Sequence, residues 1–151
     1  MTEIETLSDD LDTLDIKEIA HANFDKWNQT LLTKDPAAVA ALYTSDNDFL
    51  PTLSPDFKRG IAGAADYFTH FLEKNPTGEI VEDNVQELSP DAILHSGMYN
   101  FTVGQEDNRQ VVEARFTFVY KKDGDGEWKI AHHHSSLKPQ AHGKHYPKYF
   151  H

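Results

Sequence analysis

The residues best equipped for chemistry stand together at His132-His133-His134-Ser135-Ser136. Three imidazoles and two hydroxyls are costly to desolvate and add nothing to a hydrophobic core, so the cluster points to a site rather than to packing. It follows Glu127–Ala131, which reads as the second arm of a β-hairpin, with Asp123–Gly126 as its turn and Arg115–Tyr120 as its first arm. Side chains alternate along a strand, so His132, His134 and Ser136 share one face while His133 and Ser135 share the other. Two histidines on one strand face suit zinc if a third ligand joins them. His132 and His134 would serve, with His70 or His95 as the third. No spacing marks that third ligand, and the middle histidine points the other way, so no stoichiometric metal and no other cofactor is expected.

The elements that must position this cluster follow from periodicity. Ile16, Ile19, Ala20, Phe24, Trp27 and Leu31 form a helical stripe, with Asp15 and Glu18 as a capping box at its start. A short second helix begins at Asp35-Pro36 and carries Val39, Leu42 and Tyr43. Residues 49–55 are bracketed by prolines and read as a loop or a short edge strand. A third helix runs from about Gly60 to Lys74, on the stripe Ile61, Ala64, Ala65, Phe68 and Leu72. Strands follow at 79–88, 92–103, 109–121 and 127–136, joined by short turns. Helices first and antiparallel strands afterwards give an α+β class, with the helices against one face of a curved sheet.

Alternation sorts the hairpin into two sides. Phe116, Phe118 and Tyr120 line one side of its first arm, and Glu113, Arg115 and Thr117 the other. In the second arm Trp128 and Ile130 are expected with His132, His134 and Ser136, and Ala131 with His133 and Ser135. The aromatic side suits packing against another subunit, which predicts a homodimer through the sheet face. The small polar side suits the lining of a cavity, or simply faces water.

Composition bounds the rest. The 151 residues suffice for one domain with a real core. A net charge of −11 argues against nucleic acid or an anionic membrane as partner. The absence of cysteine removes thiolate chemistry and disulfides. No apolar run reaches a membrane span, and the acidic start has no apolar signal region, so a cytoplasmic location is expected. Residues 1–15 carry six carboxylates and no basic residue, and read as a frayed acidic arm. The domain is assigned to 16–138 and an aromatic, basic tail to 139–151.

Several blocks together resemble a known family: Leu50-Pro51-Thr52-Leu53-Ser54, Tyr67–Leu72, Ser96–Phe101, Ala114–Tyr120, and Trp128–Ser136 with its HHHSS. They resemble the bacterial branch of the calcium/calmodulin-dependent kinase II association-domain family, in the nuclear transport factor 2-like superfamily. HHHSS in particular is similar to the mark of iota-class carbonic anhydrases. The resemblance implies an α+β cone with a pocket between helices and sheet, and reversible hydration of carbon dioxide. Some members of that class are described as metal-dependent and others as working without metal. Carried onto this chain, the pocket hydroxyls fall on Thr52, Tyr67 and one of Ser135 and Ser136, with Ser135 preferred by alternation. Substrate contacts are expected from Thr117, Arg115 and Asn100. In the kinase domain arginines line the cavity where this chain has Thr117 and Ser135, which argues against a strict hub role.

That reading sets a chemical demand. Without metal, water must be polarised by hydroxyls, which both donate and accept, and its proton must go to a base. His133 is the expected proton acceptor or relay, since imidazole titrates near neutral pH. The alternatives are a non-catalytic ligand-binding or oligomerisation module, and a cyclase or isomerase with a carboxylate base in a larger apolar cavity. For the last, Glu113 beside Arg115 is the in-strand candidate.

Overall fold

The computed structural model describes residues 2–139, with side chains from Ile16 onward. Apart from Pro139, the tail assigned to 139–151 lies outside the described residues, as do the side chains of the arm at 1–15. The first helix, α1 (Thr2–Leu31), runs through Asp15, so the capping box expected there caps nothing. Its stripe Ala20, Phe24, Trp27 and Leu31 is buried. In α2 (Pro36–Ala40) the Asp35 carboxylate accepts from the Ala37 N–H at 3.0 Å, and Pro36 sits where no N–H is needed.

The chain then departs from expectation. Tyr43–Leu50 is a strand, β1, rather than the end of α2 and a loop. Its register slips between Tyr43 and Asp48, where Asn47 is buried and its amide donates to the Thr44 carbonyl. That interruption hides any alternation from a reader of the sequence. After the short β2 (Lys58–Arg59), α3 spans Gly60–Phe71 and tightens into a 3-10 turn at Leu72–Lys74. Asn75 closes it in the left-handed conformation, with φ of 53°. Four long strands follow close to their expected bounds: β3 (Thr77–Ser89), β4 (Ala92–Val103), β5 (Gln110–Lys122) and β6 (Trp128–Leu137).

The sheet order is β2-β1-β6-β5-β4-β3. β1 pairs with β6 in parallel, so the sheet is mixed rather than antiparallel, while the α+β class stands. The helices cover one face, and the core between them holds Trp27, Phe49, Phe68, Tyr99, Phe101, Phe116 and Phe118. Each large apolar side chain there contributes about 1.5–3 kcal/mol.

Two irregularities decide which residues face that core. Between β5 and β6, Val119 pairs with His132 but Tyr120 pairs with Ile130, leaving Ala131 as an extra residue. This bulge puts Ile130 on the same side as His133, not with His132 as strict alternation predicts. Phe116, Phe118, Tyr120 and Ile130 are therefore buried under the chain's own helices. The aromatic side expected to bind another subunit is the interior of the domain. The second irregularity lies in β3, whose register shifts between Ile80 and Glu82. A Cβ at Gly97 would stand 2.0 Å from the Glu82 carbonyl oxygen and 2.7 Å from the Asp83 Cα. Glycine alone permits β3 to cross β4 so closely.

Candidate active site

His133 occupies the middle of the sheet's inner face. Register aligns Phe49, His133 and Phe118 across β1, β6 and β5. The imidazole is stacked on both rings, with centroids 4.8 Å from Phe49 and 4.1 Å from Phe118, and meets the edge of Trp27 at 5.7 Å. It is 2% exposed. Burial pushes its pKa well below the usual imidazole range, and the flanking His132 and His134 add to that shift. The ring is neutral.

Both its nitrogens are engaged, and the partners fix the tautomer. Trp27 can only donate, and its Nε1–H points at the Tyr43 hydroxyl at 3.2 Å. Tyr99, which faces Nε2 of His133, donates its own proton elsewhere, so the neutral ring accepts at Nδ1 and Tyr43 gives its proton there, 2.8 Å away. Nε2 then carries the ring proton and faces the Tyr99 oxygen at 3.3 Å. Tyr99 in turn donates to Ser135 Oγ at 2.5 Å, and Ser135 is hydrogen-bonded to the Thr52 hydroxyl. The series runs one way from Trp27 through Tyr43, His133 and Tyr99 to Ser135, each donor polarising the next, and the Ser135 and Thr52 hydroxyls, either of which can donate to the other, close it. Burial also raises the pKa values of Tyr43 and Tyr99, so both keep their protons at neutral pH.

The series ends in a cavity of about 100 Å³ between α3 and the sheet. Its wall is largely aromatic and aliphatic, with Thr52, Tyr67, Lys74, Tyr99, His133 and Ser135 as polar groups. Tyr67 donates to the Thr52 backbone carbonyl at 3.2 Å, and burial holds its hydroxyl protonated. Leu53 sits beside Thr52 with φ of 65°, an uncommon conformation for a non-glycine residue, and its side chain is exposed at the mouth. Outside lies a second chamber of about 320 Å³, which shares Thr52, Leu53, Tyr67, Phe71 and Lys74 with the first and adds His70.

The structure thus brings together Thr52, Tyr67, His133 and Ser135. It does not bring Ser136, Thr117, Arg115 or Asn100 to them. Alternation sends these to the outer face of the sheet, where Arg115, Thr117 and Ser136 meet His134 in a shallow depression. Glu113 is exposed and 4.0 Å from Lys138, so it offers the cavity no base. The histidines weighed for zinc are also dispersed. His132 and His134 face outward, His70 is exposed on α3, and His95 is buried on the inner face. Trp27, Tyr43 and Tyr99 complete the series and were not anticipated from sequence.

Burial of neutral His133 carries a consequence for stability. An unfolded histidine binds a proton near pH 6.5, whereas the folded ring resists it, so the unfolded state gains protons first as pH falls. Stability is therefore expected to be full above about pH 6.5 and to decline below it, by up to about 1.4 kcal/mol per pH unit for such a group. His95, also lowered by burial against the opposing pull of Asp83, adds in the same direction. Urea midpoints between about pH 7 and about pH 5 measure this. A flat profile would mean that His133 takes up a proton in the folded chain.

Helices laid over one face of a curved sheet, with a pocket between them, define the nuclear transport factor 2-like class. A protein of that name with a cystatin-like fold from Novosphingobium aromaticivorans superposes with a TM-score of 0.71, over 90% of this chain and 91% of its own, at 13% identity. A superfamily member from Salmonella enterica gives 0.72 over 89% and 99% at 18% identity. Both likenesses speak for the fold alone. More closely, the chain belongs to the calcium/calmodulin-dependent protein kinase II association domain family, whose model matches residues 16–139. A structure from Xanthomonas campestris described by that family's name is 40% identical, over 81% of this chain and 87% of that one, with a TM-score of 0.77. No curated protein matches the chain significantly. The family and fold fit a ligand-binding or oligomerisation domain. No helix among the described residues is long and apolar enough to cross a membrane.

Proposed function

We propose that this chain catalyses the reversible hydration of carbon dioxide to bicarbonate, as the iota-class carbonic anhydrases that it resembles do, with hydroxyls rather than a metal at the reacting centre. The observation that carries the reading is the cavity of about 100 Å³ with Thr52 and Ser135 on its wall. Pockets for ordinary organic ligands run to about 300–1,000 Å³. Space on this scale beside the two hydroxyls suits a triatomic gas and a water, whereas a larger substrate would have to extend into the outer chamber of about 320 Å³. No carboxylate lines it among the described residues, and those of Asp56 and Asp66 stand in the outer chamber.

In this proposal the cavity's apolar wall holds carbon dioxide, and the Thr52 hydroxyl at the end of the donor series faces one of its oxygens. Water attacks the carbon, a C–O bond forms, and the displaced C=O electron pair settles on the oxygen that Thr52 stabilises. The water's proton leaves for solvent through the outer chamber, where His70 is the imidazole suited to carry it. His133 acts through Tyr99 as an orienting group. Its two nitrogens are already engaged, which favours that role over the proton acceptor expected from sequence.

Stopped-flow hydration of carbon dioxide in a pH-indicator assay tests this, on protein dialysed against a chelator and checked for metal in the same sample. A rate above the buffer blank with substoichiometric metal is the expected result. A folded protein without such a rate would leave the ligand-binding reading of the family in its place.

A further inference from the structure

We propose a second site, for a divalent transition-metal ion, formed by His21, Asp83 and His95 where α1 crosses β3 and β4. Oδ2 of Asp83 lies 2.7 Å from Nε2 of His21 and 2.8 Å from Nε2 of His95. Three ligand atoms from three elements converge within 4.8 Å of one another. A tetrahedral zinc ion with bonds of about 2.0–2.2 Å holds its donors about 3.3 Å apart, so the two edges at Asp83 need to open by about 0.5 Å to take one, with the two imidazole nitrogens coming to a similar separation from within 4.8 Å.

The backbone builds the convergence. Asp83 pairs with Gly97 in the β3–β4 ladder, and a side chain at Gly97 would displace the Asp83 Cα from its place. His95 is the fixed ligand, fully buried with its ring edge-on to Phe116 at 5.1 Å. Asp83 and His21 are the open ones, with side chains 23% and 51% exposed, which gives an ion a way in and leaves room for a water as fourth ligand. A metal on Nε2 moves the ring proton of His95 to Nδ1, which in the metal-free structure is buried without a partner. The neighbouring Tyr120, its ring centroid 6.4 Å away, has a buried hydroxyl that is likewise unpartnered. Two imidazoles and one carboxylate select zinc and its first-row neighbours over magnesium or calcium. Phe118 stands between His95 and His133 in the same row of the sheet, so this site is separate from the cavity and does not depend on the proposed reaction.

Zinc alone is the probe. Metal-free protein is titrated with zinc against a chromophoric chelator, and its melting temperature is followed with and without the ion. One zinc per chain and a raised melting temperature are expected. In His21→Ala and in Asp83→Asn the affinity should fall on the order of 100-fold and the thermal gain vanish. His21 is on the surface, so His21→Ala keeps the fold even if Asp83→Asn disturbs it, and circular dichroism checks both. A control replacing His132, His134 and the histidines outside the described residues (His142, His145 and His151) by alanine should bind zinc as before. No saturable binding, binding unchanged in His21→Ala and Asp83→Asn, or binding lost in the control would overturn the site.

Discussion

Ser135→Ala is expected to lower turnover of carbon dioxide by about 100-fold or more, the scale of losing one preorganised donor at a reacting centre. Ser135 is the link through which Tyr99 reaches Thr52, so its removal cuts the series just before the cavity. Thr52→Val should cost as much, and the double variant little more, because both changes break one chain of bonds. The loss should fall on kcat, since neither hydroxyl is needed for an apolar gas to enter. Tyr67→Phe should do less, as its hydroxyl holds the Thr52 carbonyl rather than the hydroxyl series. His134→Ala, on the outer face, should leave turnover unchanged. Full activity in Ser135→Ala, measured by stopped flow on protein with native circular dichroism, would move the chemistry elsewhere.

His133→Ala should destabilise the fold by about 3–5 kcal/mol, the range for deleting a buried ring. The side chain fills the space between Phe49 and Phe118, and the cavity left behind cannot close while the sheet fixes both neighbours. The Tyr43 proton then has no acceptor and the Tyr99 oxygen loses a donor, a desolvation cost of about 1–3 kcal/mol for a group left unpaired. Urea denaturation gives the change directly. A loss below about 1 kcal/mol would mean that water replaces the ring and its bonds.

Much of the fold was legible because its signals are local. The cap at Asp35-Pro36, the span of α3 and the bounds of the four long strands each rest on residues close in sequence. Which side of the β5–β6 hairpin faces inward was not legible, because one extra residue at Ala131 inverts the alternation and only the partner strand reveals it. β1 was missed for a related reason: its pairing is with β6, far along the chain, and its own polar middle mimics a loop. Within the site, alternation within β6 separated His133 and Ser135 from their neighbours. It could also have preferred Tyr99 to Asn100, since Tyr99 keeps step with the buried Ile93 and Phe101. Trp27 and Tyr43 carried no such mark. An indole in an apolar stripe reads as core, and its single donor acquires meaning only when the Tyr43 hydroxyl is set before it.

The place of β6 between β1 and β5 also bears on how the protein is made. Ninety residues separate Tyr43 from His133, and 83 separate Thr52 from Ser135. During synthesis α1, α2 and β1 leave the ribosome long before their central partner exists. Until about residue 137 emerges, β1 and β5 each present an unpaired edge, and Trp27, Phe49 and Phe118 lack the strand that joins them. A nascent chain is therefore open through its middle until β6 emerges, and the strand that closes the core is the same one that delivers the histidine and serine of the cavity.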